Sequence, residues 1–478
     1  MKKFFKGMLS VALATVMLFT AVVPSFAAGE FLWEHVWNEE YDNGVILFPG
    51  SDNSEMNVSW YSKTESVPKV VVSEGILIGK NAKEISGYSV AAPDGDYSNK
   101  VTLTGLEAGK TYSYQCISDG FESNVYSFTT DADENTFSAV YMTDIHTSYD
   151  SENENGLKET AGKFNSTLAE AASRRNISLL LSAGDQASLG LESEYKGFSS
   201  ALLLKKFPVA TTVGNHDRKG IAYKTFKNFP NERTNNMVAS YVSGDYWFTK
   251  GDVLFLVVDS NNASGMDHRA FIKSAVDANP NAKWRVLMAH HDLYSGRIPH
   301  RESENELLRM LWGPMADEFS IDLVLLGHSH YYTVTNVLYN GETVSDLSET
   351  MTDPKGTVYM VSGSITRPRN DDTLGLNEEW IGYAGTPDDR IIYNILDFTE
   401  DSITVSSYYK GEAEPFNSYS IVKTSKEGGH PKQILPSPFD GFVRFCGTVY
   451  GIFNNIGVYS NLKENGYDVD FFDIVFNN

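Results

Sequence analysis

"ISLLLSAGDQASLG" (residues 177–190) runs from an apolar stretch into a carboxylate. Ile177 to Leu181 reads as a buried strand, and Asp185 sits just past it, at the start of a loop. A charge at the mouth of a core strand is costly unless something pairs with it. Other apolar runs in the chain end the same way. "FSAVYMTDIH" (137–146) reaches Asp144 and His146, and "FPVATTVGNHD" (207–217) reaches Asn215, His216 and Asp217. "KWRVLMAHHD" (283–292) ends in His290, His291 and Asp292, and "IDLVLLGHSH" (321–330) ends in His328 and His330. The chain has ten histidines, and six of them follow these few strands.

Between the strands the period changes. "GLKETAGKFNSTLAEAASRR" (156–175) puts Leu157, Phe164, Leu168 and Ala171 on one helical face. "ENELLRMLWGPMADEFS" (304–320) reads as another helix, broken or capped near Gly313-Pro314. Strands alternating with helices indicate an α/β domain, expected over 133–412. In an open α/β sheet the carboxyl ends of strands are where ligands bind. The donors there are O and N with no thiolate, which suits Mn, Fe or Zn rather than a Cys-built structural zinc. One Asp after a strand is more often a helix cap. The order and spacing of the whole series make scattered capping a poor explanation.

The rest of the chain frames this domain. Lys2, Lys3 and Lys6, the apolar stretch from Gly7 to Val23 and Ser25-Phe26-Ala27 read as a cleaved secretory signal over 1–27. The protein is therefore expected outside the cell, secreted or at its surface, with no membrane span after cleavage. Residues 28–132 read as an all-β module from short alternating runs such as "MNVSWYS" (56–62). Its Leu106-x-x-Gly109-x-x-Tyr112-x-Tyr114 spacing resembles the tyrosine corner of fibronectin type III sandwiches. Residues 413–478 are expected to be a Gly/Pro-punctuated linker and an aromatic-rich appendage docked on the main body. Cys116 and Cys446 are too distant for a disulfide framework and are expected to be unpaired. A net charge of −23 argues against a nucleic-acid docking surface.

The series Asp144-x-His146, Gly184-Asp185, Gly214-Asn215-His216-Asp217, His290 and Gly327-His328-x-His330 resembles the calcineurin-like metallophosphoesterase superfamily. With the β-module in front, it is most similar to the purple acid phosphatase branch and its secreted bacterial relatives. The resemblance implies two β-sheets packed between helices and a site for two divalent metals at the strand ends. One metal would take Asp144, His146, Asp185 and His330, the other Asp185, Asn215, His290 and His328, with Asp185 shared. Two divalent cations against two carboxylates and a bridging hydroxide leave a surplus of positive charge for phosphate, and the hydroxide would attack it. His216 would give the leaving group its proton or stabilise its charge, with Asp217 orienting the ring. His300 and Arg297 are candidate substrate contacts. His291 is a third candidate, better suited to supporting a ligand than to being one. Asp259 is expected to hold a loop.

Two departures stand out. Purple acid phosphatases have Gly-Asp-x-x-Tyr, whereas here Ser188 follows Gly184-Asp185-Gln186-Ala187, so the tyrosine ligand is missing. Asp292 stands where the family often has proline. The function expected is a secreted phosphomonoesterase acting on small organic phosphates. The alternatives are a phosphodiesterase or nucleotidase of the same superfamily, and a surface binding protein with a degenerate enzyme domain.

Overall fold

The computed structural model describes residues 26–148, 154–233, 241–262, 264–297, 304–369, 378–385, 388–431 and 438–476. The expected signal segment up to residue 25 and the candidate substrate contact His300 lie outside these residues.

Two seven-stranded sheets face each other in the α/β domain. In the first, Phe137–Met142, Ile177–Ser182 and Val209–Thr211 run parallel. In the second, Val253–Val257, Trp284–Met288, Leu323–Leu326 and Val358–Val361 run parallel. Alternate side chains serve different layers, because successive residues of a strand point to opposite faces. Tyr141 and Leu181 meet Val257, Met288 and Leu325 between the sheets. Val140 and Leu180 pack outward on Phe164 and Leu168 of the Glu154–Arg174 helix. Leu256, Leu287 and Val324 do the same against Phe271, Ile272 and Leu311. Burial on both faces is why these strands read as unbroken apolar runs.

Residues 46–129 form the expected β-sandwich, one sheet of four strands and one of five. Its tyrosine corner is present: the Glu107 N–H donates to the Tyr112 hydroxyl at 2.8 Å. The module is part of the main body rather than a free domain. Ile46 and Phe48 belong to the same apolar cluster as Leu180 and Phe226, and Ser98 and Tyr114 donate to the carbonyls of Thr225 and Lys205 at 2.7 and 2.9 Å.

Three boundaries differ from the sequence reading. The all-β module does not begin at 28, because Phe26–Glu40 is a helix. Trp33, Trp37 and Tyr41 recur every four residues and pack on Leu157 and Ala161, which favours a helix over a strand. The α/β domain does not stop at 412, since strand Asn417–Val422 pairs with Ser402–Tyr409 and buries Tyr419 and Ile421. The helix Glu304–Glu318 continues through Pro314. Burial of Leu311, Trp312 and Met315 there outweighs the hydrogen bond that proline cannot make.

Beyond residue 437 the appendage is two helices, Pro438–Glu464 and Phe471–Phe476. It is docked as expected, with Leu462, Val469 and Ile474 against Ile221 and Tyr241. Cys116 and Cys446 are unpaired. Among the described residues, no helix is long and apolar enough to cross a membrane.

Candidate metal centre

Five parallel strands deliver the expected donors to one place. Phe137–Met142 leads to Asp144 and His146, Ile177–Ser182 to Asp185, Val209–Thr211 to Asn215, Trp284–Met288 to His290, and Leu323–Leu326 to His328 and His330. Each chain turns sharply after its strand. Asp144, His146, Asp185, His328 and His330 all have positive φ, from 45° to 72°. This left-handed backbone costs about 1–3 kcal/mol per residue and persists where neighbouring structure enforces it. Cross-links supply that enforcement: the Asp144 N–H donates to Gly184 O at 3.1 Å, and the His146 N–H to Asp185 O at 2.8 Å. Gly214 is required by contact, since a Cβ there would stand 2.0 Å from Asp185 Oδ1.

The donor atoms converge. His330 Nε2 lies 3.1 Å from Asp144 Oδ1 and 3.2 Å from His146 Nε2. On the other side His290 Nε2 is 3.0 Å from Asn215 Oδ1 and 3.4 Å from Asp185 Oδ2. Asp185 Oδ2 is also 3.7 Å from His146 Nε2, so this one oxygen faces both sets. The ring of His328 stands 5.1 Å from that of His290.

The remaining ring nitrogens are held from behind. Nδ1 of His290 donates to Ala183 O and Nδ1 of His330 to Arg367 O, both at 2.9 Å, which turns each Nε2 lone pair inward. Asp144 Oδ1 is buried and accepts no hydrogen bond, though a lone carboxylate oxygen in such a place is costly. An orphaned anionic acceptor facing two imidazole lone pairs fits a cation. The residues therefore fit a pair of metal ions.

Burial alone would make every charge here unfavourable, yet the cluster keeps them. It opposes ionisation of Asp185, but His290 and His146 hold its carboxyl well below the usual range. It likewise opposes charge on His290, and Asp185 and Asp144 raise that imidazole to about 10, a proton that a cation held between these carboxylates would replace. His146, for which burial dominates, is lowered to about 3.

His216 reaches the same cluster, with a ring nitrogen within 4.8 Å of a His146 ring nitrogen and an Asp185 carboxylate oxygen. Its Nδ1 is 2.9 Å from Ser188 O, and the Lys219 ammonium is 2.7 Å from the same nitrogen. Asp217 does not orient that ring, as the sequence reading expected. Its carboxylate turns into the loop after Asp185 and accepts from the N–H groups of Gly214 and Ala187 and from the Tyr195 hydroxyl, at 2.8, 3.0 and 2.9 Å. Backbone donors that would otherwise be unpaired in a buried loop draw it there.

The other candidates divide. His291 is a support, its Nδ1 2.8 Å from Ser260 Oγ. Asp259 holds its loop by accepting from Asn261 N at 3.0 Å, and Asp292 accepts from Asn305 Nδ2 at 3.1 Å. Arg297 is not among the residues lining the metal-facing cavity, which Arg367 and Arg369 line instead. The loop after His290 is pulled away, the Gly296 N–H donating to Thr333 Oγ1 at 3.1 Å. Arg367, which sequence reasoning missed, donates to Ser148 Oγ and Ser188 Oγ at 3.2 and 3.3 Å. Its signal was available: "VYMV" (358–361) is a sixth apolar run whose following loop enters the site.

Comparison with known proteins finds related families and folds. Residues 138–332 match the calcineurin-like phosphoesterase family, and residues 42–130 match the purple acid phosphatase N-terminal domain. The Fe(3+)-Zn(2+) purple acid phosphatase 12 of Arabidopsis thaliana is 24% identical over 170 residues. That match spans 33% of this chain and 36% of the relative, so the chain covers about a third of the relative's length. Among solved structures, purple acid phosphatase PPD1 from yellow lupin (Lupinus luteus) seeds superposes with a TM-score of 0.66 at 16% identity, covering 82% of this chain and 77% of that one. PhoD gives 0.54 at 13% identity, covering 87% and 98%. Both share the fold.

Proposed function

We propose that this chain, which carries a calcineurin-like phosphoesterase domain behind a purple acid phosphatase N-terminal domain, is an exported, two-metal phosphoesterase that acts on phosphate monoesters. One observation carries the reading: Asp185 Oδ2 faces both His146 and His290, each in its own cluster of buried donors. Asp144, His146, Asp185 and His330 would hold one ion, and Asp185, Asn215, His290 and His328 the other. When bound, two such ions polarise phosphoryl oxygens and bring the pKa of water toward neutrality.

The protein's own residues do the rest. His216 sits at the rim, placed to meet the leaving oxygen with a proton. Arg367 and Arg369 line the same cavity, of about 500 Å³, and put fixed positive charge beside the donors. A terminal phosphate bears more negative charge than a diester, so these guanidinium groups favour monoesters. Export rests on the basic, apolar and small-residue order of residues 1–27. The charge of −23 supports a small phosphorylated substrate rather than nucleic acid as partner.

The test is metal content measured alongside hydrolysis of an aryl monoester and a bis-aryl diester. Two metals per chain and faster monoester turnover are expected. A faster diester would make the protein a phosphodiesterase, and metal-loaded protein inactive on both would end the enzymatic reading.

A further inference from the structure

A second cavity, of about 310 Å³, opens beside the candidate metal centre, and the C-terminal helix forms its outer wall. The inner wall comes from the catalytic domain: Asn215, Ser260, Asn261 and His291. The outer wall is Tyr450, Asn454, Gly457 and Asn461 of the Pro438–Glu464 helix. Asn215 forms part of this cavity's wall while its Oδ1 lies 3.0 Å from His290 Nε2, and the next residue, His216, lines the metal-facing cavity.

The helix is fixed in place. Asn454 Nδ2 donates to Asn261 O at 3.3 Å, Ser264 and Thr448 hydroxyls meet at 3.2 Å, and the Leu462 cluster seals its far end. The catalytic side is equally well held, with Asn261 Nδ2 donating to Val213 O and Asp259 Oδ1 at 3.1 and 2.8 Å. The cavity is thus a built feature between two braced surfaces.

We infer that this cavity is a subsite for the alcohol half of a phosphoester, and that the alcohol is a hydrogen-bonding ring, a sugar or nucleoside. The inference rests on the phosphoesterase reading of the metal centre. A phosphate at the donor cluster would have its ester oxygen directed past Asn215 into this space. The volume lies at the small end of ligand pockets, which suits one or two rings. The lining is mixed: Leu308, Val458 and the Tyr450 ring give apolar area, and Asn454 and Asn461 give amide edges. A ring with an apolar face and polar edges fits such a lining, whereas an acyl chain would use only its apolar part. Arg218 is engaged with Asn261 O at 3.4 Å and Lys219 with His216.

Gly457 allows a direct test, since a Cβ built there meets nothing within 4 Å. Gly457→Leu grows a side chain into the cavity and replaces a poor helix former with a good one. Dissociation constants of inorganic phosphate and of the non-hydrolysable phosphonate analogues of adenosine 5′-monophosphate and glucose 6-phosphate would be measured by calorimetry on the manganese-loaded full chain. At least one analogue should bind about tenfold more tightly than phosphate. The tighter of the two identifies the ring. In Gly457→Leu that ratio should fall toward one, and Asn461→Ala, at an exposed helix position, should lower it several-fold. A ratio near one in the native protein, or a ratio that Gly457→Leu leaves intact, overturns the subsite. Turnover of a small aryl phosphate by the same preparation tests the phosphoesterase reading separately: no turnover with the binding ratio intact rejects the enzyme and keeps the subsite.

Discussion

The Arg367 guanidinium donates to Ser188 Oγ across 3.3 Å. A cation therefore stands at the position where purple acid phosphatases place a metal-binding phenolate. Two other tyrosines are committed elsewhere: Tyr141 donates to Leu326 O in the core, and Tyr294 packs on Tyr359 at 4.7 Å. Iron-loaded, air-oxidised protein is expected to lack a strong visible charge-transfer band. Ser188→Tyr combined with Arg367→Ala should create one. A strong purple absorption in the native protein would show that a tyrosine does reach the iron.

Asp185 is expected to be indispensable for holding two ions. Asp185→Asn keeps its size and removes the charge facing both clusters, so metal content and activity should fall together. Gly214→Ala should reproduce the loss without replacing a ligand, because its Cβ would press on Asp185 Oδ1 from 2.0 Å. Two metals per chain retained in Asp185→Asn would refute the shared-ligand assignment.

His216 and Asp217 should separate in kinetics. His216→Ala is expected to keep its metals and lose turnover on poor leaving groups far more than on activated aryl phosphates. Asp217→Ala should instead cost stability, about 1–3 kcal/mol for each buried donor left unpaired, with no such dependence on leaving group. Equal leaving-group sensitivity in both variants would return Asp217 to a role on the His216 ring.

The pair His268–Asp245 links stability to pH. Burial opposes a charge on His268, but Asp245 at 2.7 Å, aided by the Asn262 carbonyl and Asp259, holds its pKa at about 9. A folded pKa raised above the unfolded value of about 6.5 gives stability that is complete below that pH. It is then lost as pH rises through about 9. His268→Gln should cost about 3–5 kcal/mol in acid-to-neutral buffer, and the gap should narrow above the folded pKa. Urea midpoints at two pH values measure it, and a gap independent of pH would mean the pair is not ionic.

The β-module is expected to be required for folding. None of the proposed ligands lies in it, yet Ile46 and Phe48 fill the core beneath the Ile177–Ser182 strand. A chain starting at Asp133 should aggregate or expose apolar surface, as judged by dye binding and metal uptake. A soluble truncated chain carrying two metals would make the module a dispensable rim.

The sequence by itself determined the catalytic layer and its donors. Strands buried on both faces must be apolar throughout, so Ile177–Ser182 and Leu323–Leu326 are visible as runs, and the polar residues just after them stand out. Asp144, Asp185, His290 and His330 could be named for that reason. Tertiary structure decided what depends on partners distant in the chain. Asp217 turned from the His216 ring to backbone donors of its own loop and of the loop after Asp185. Arg367 entered the site because parallel pairing puts the end of Val358–Val361 beside that of Leu323–Leu326. The Pro438–Glu464 helix became a wall of the cleft through its contacts with residues almost 200 positions earlier, such as Asn261. Local pattern records what each segment must bury; which side chain meets which is set only when the whole chain has packed.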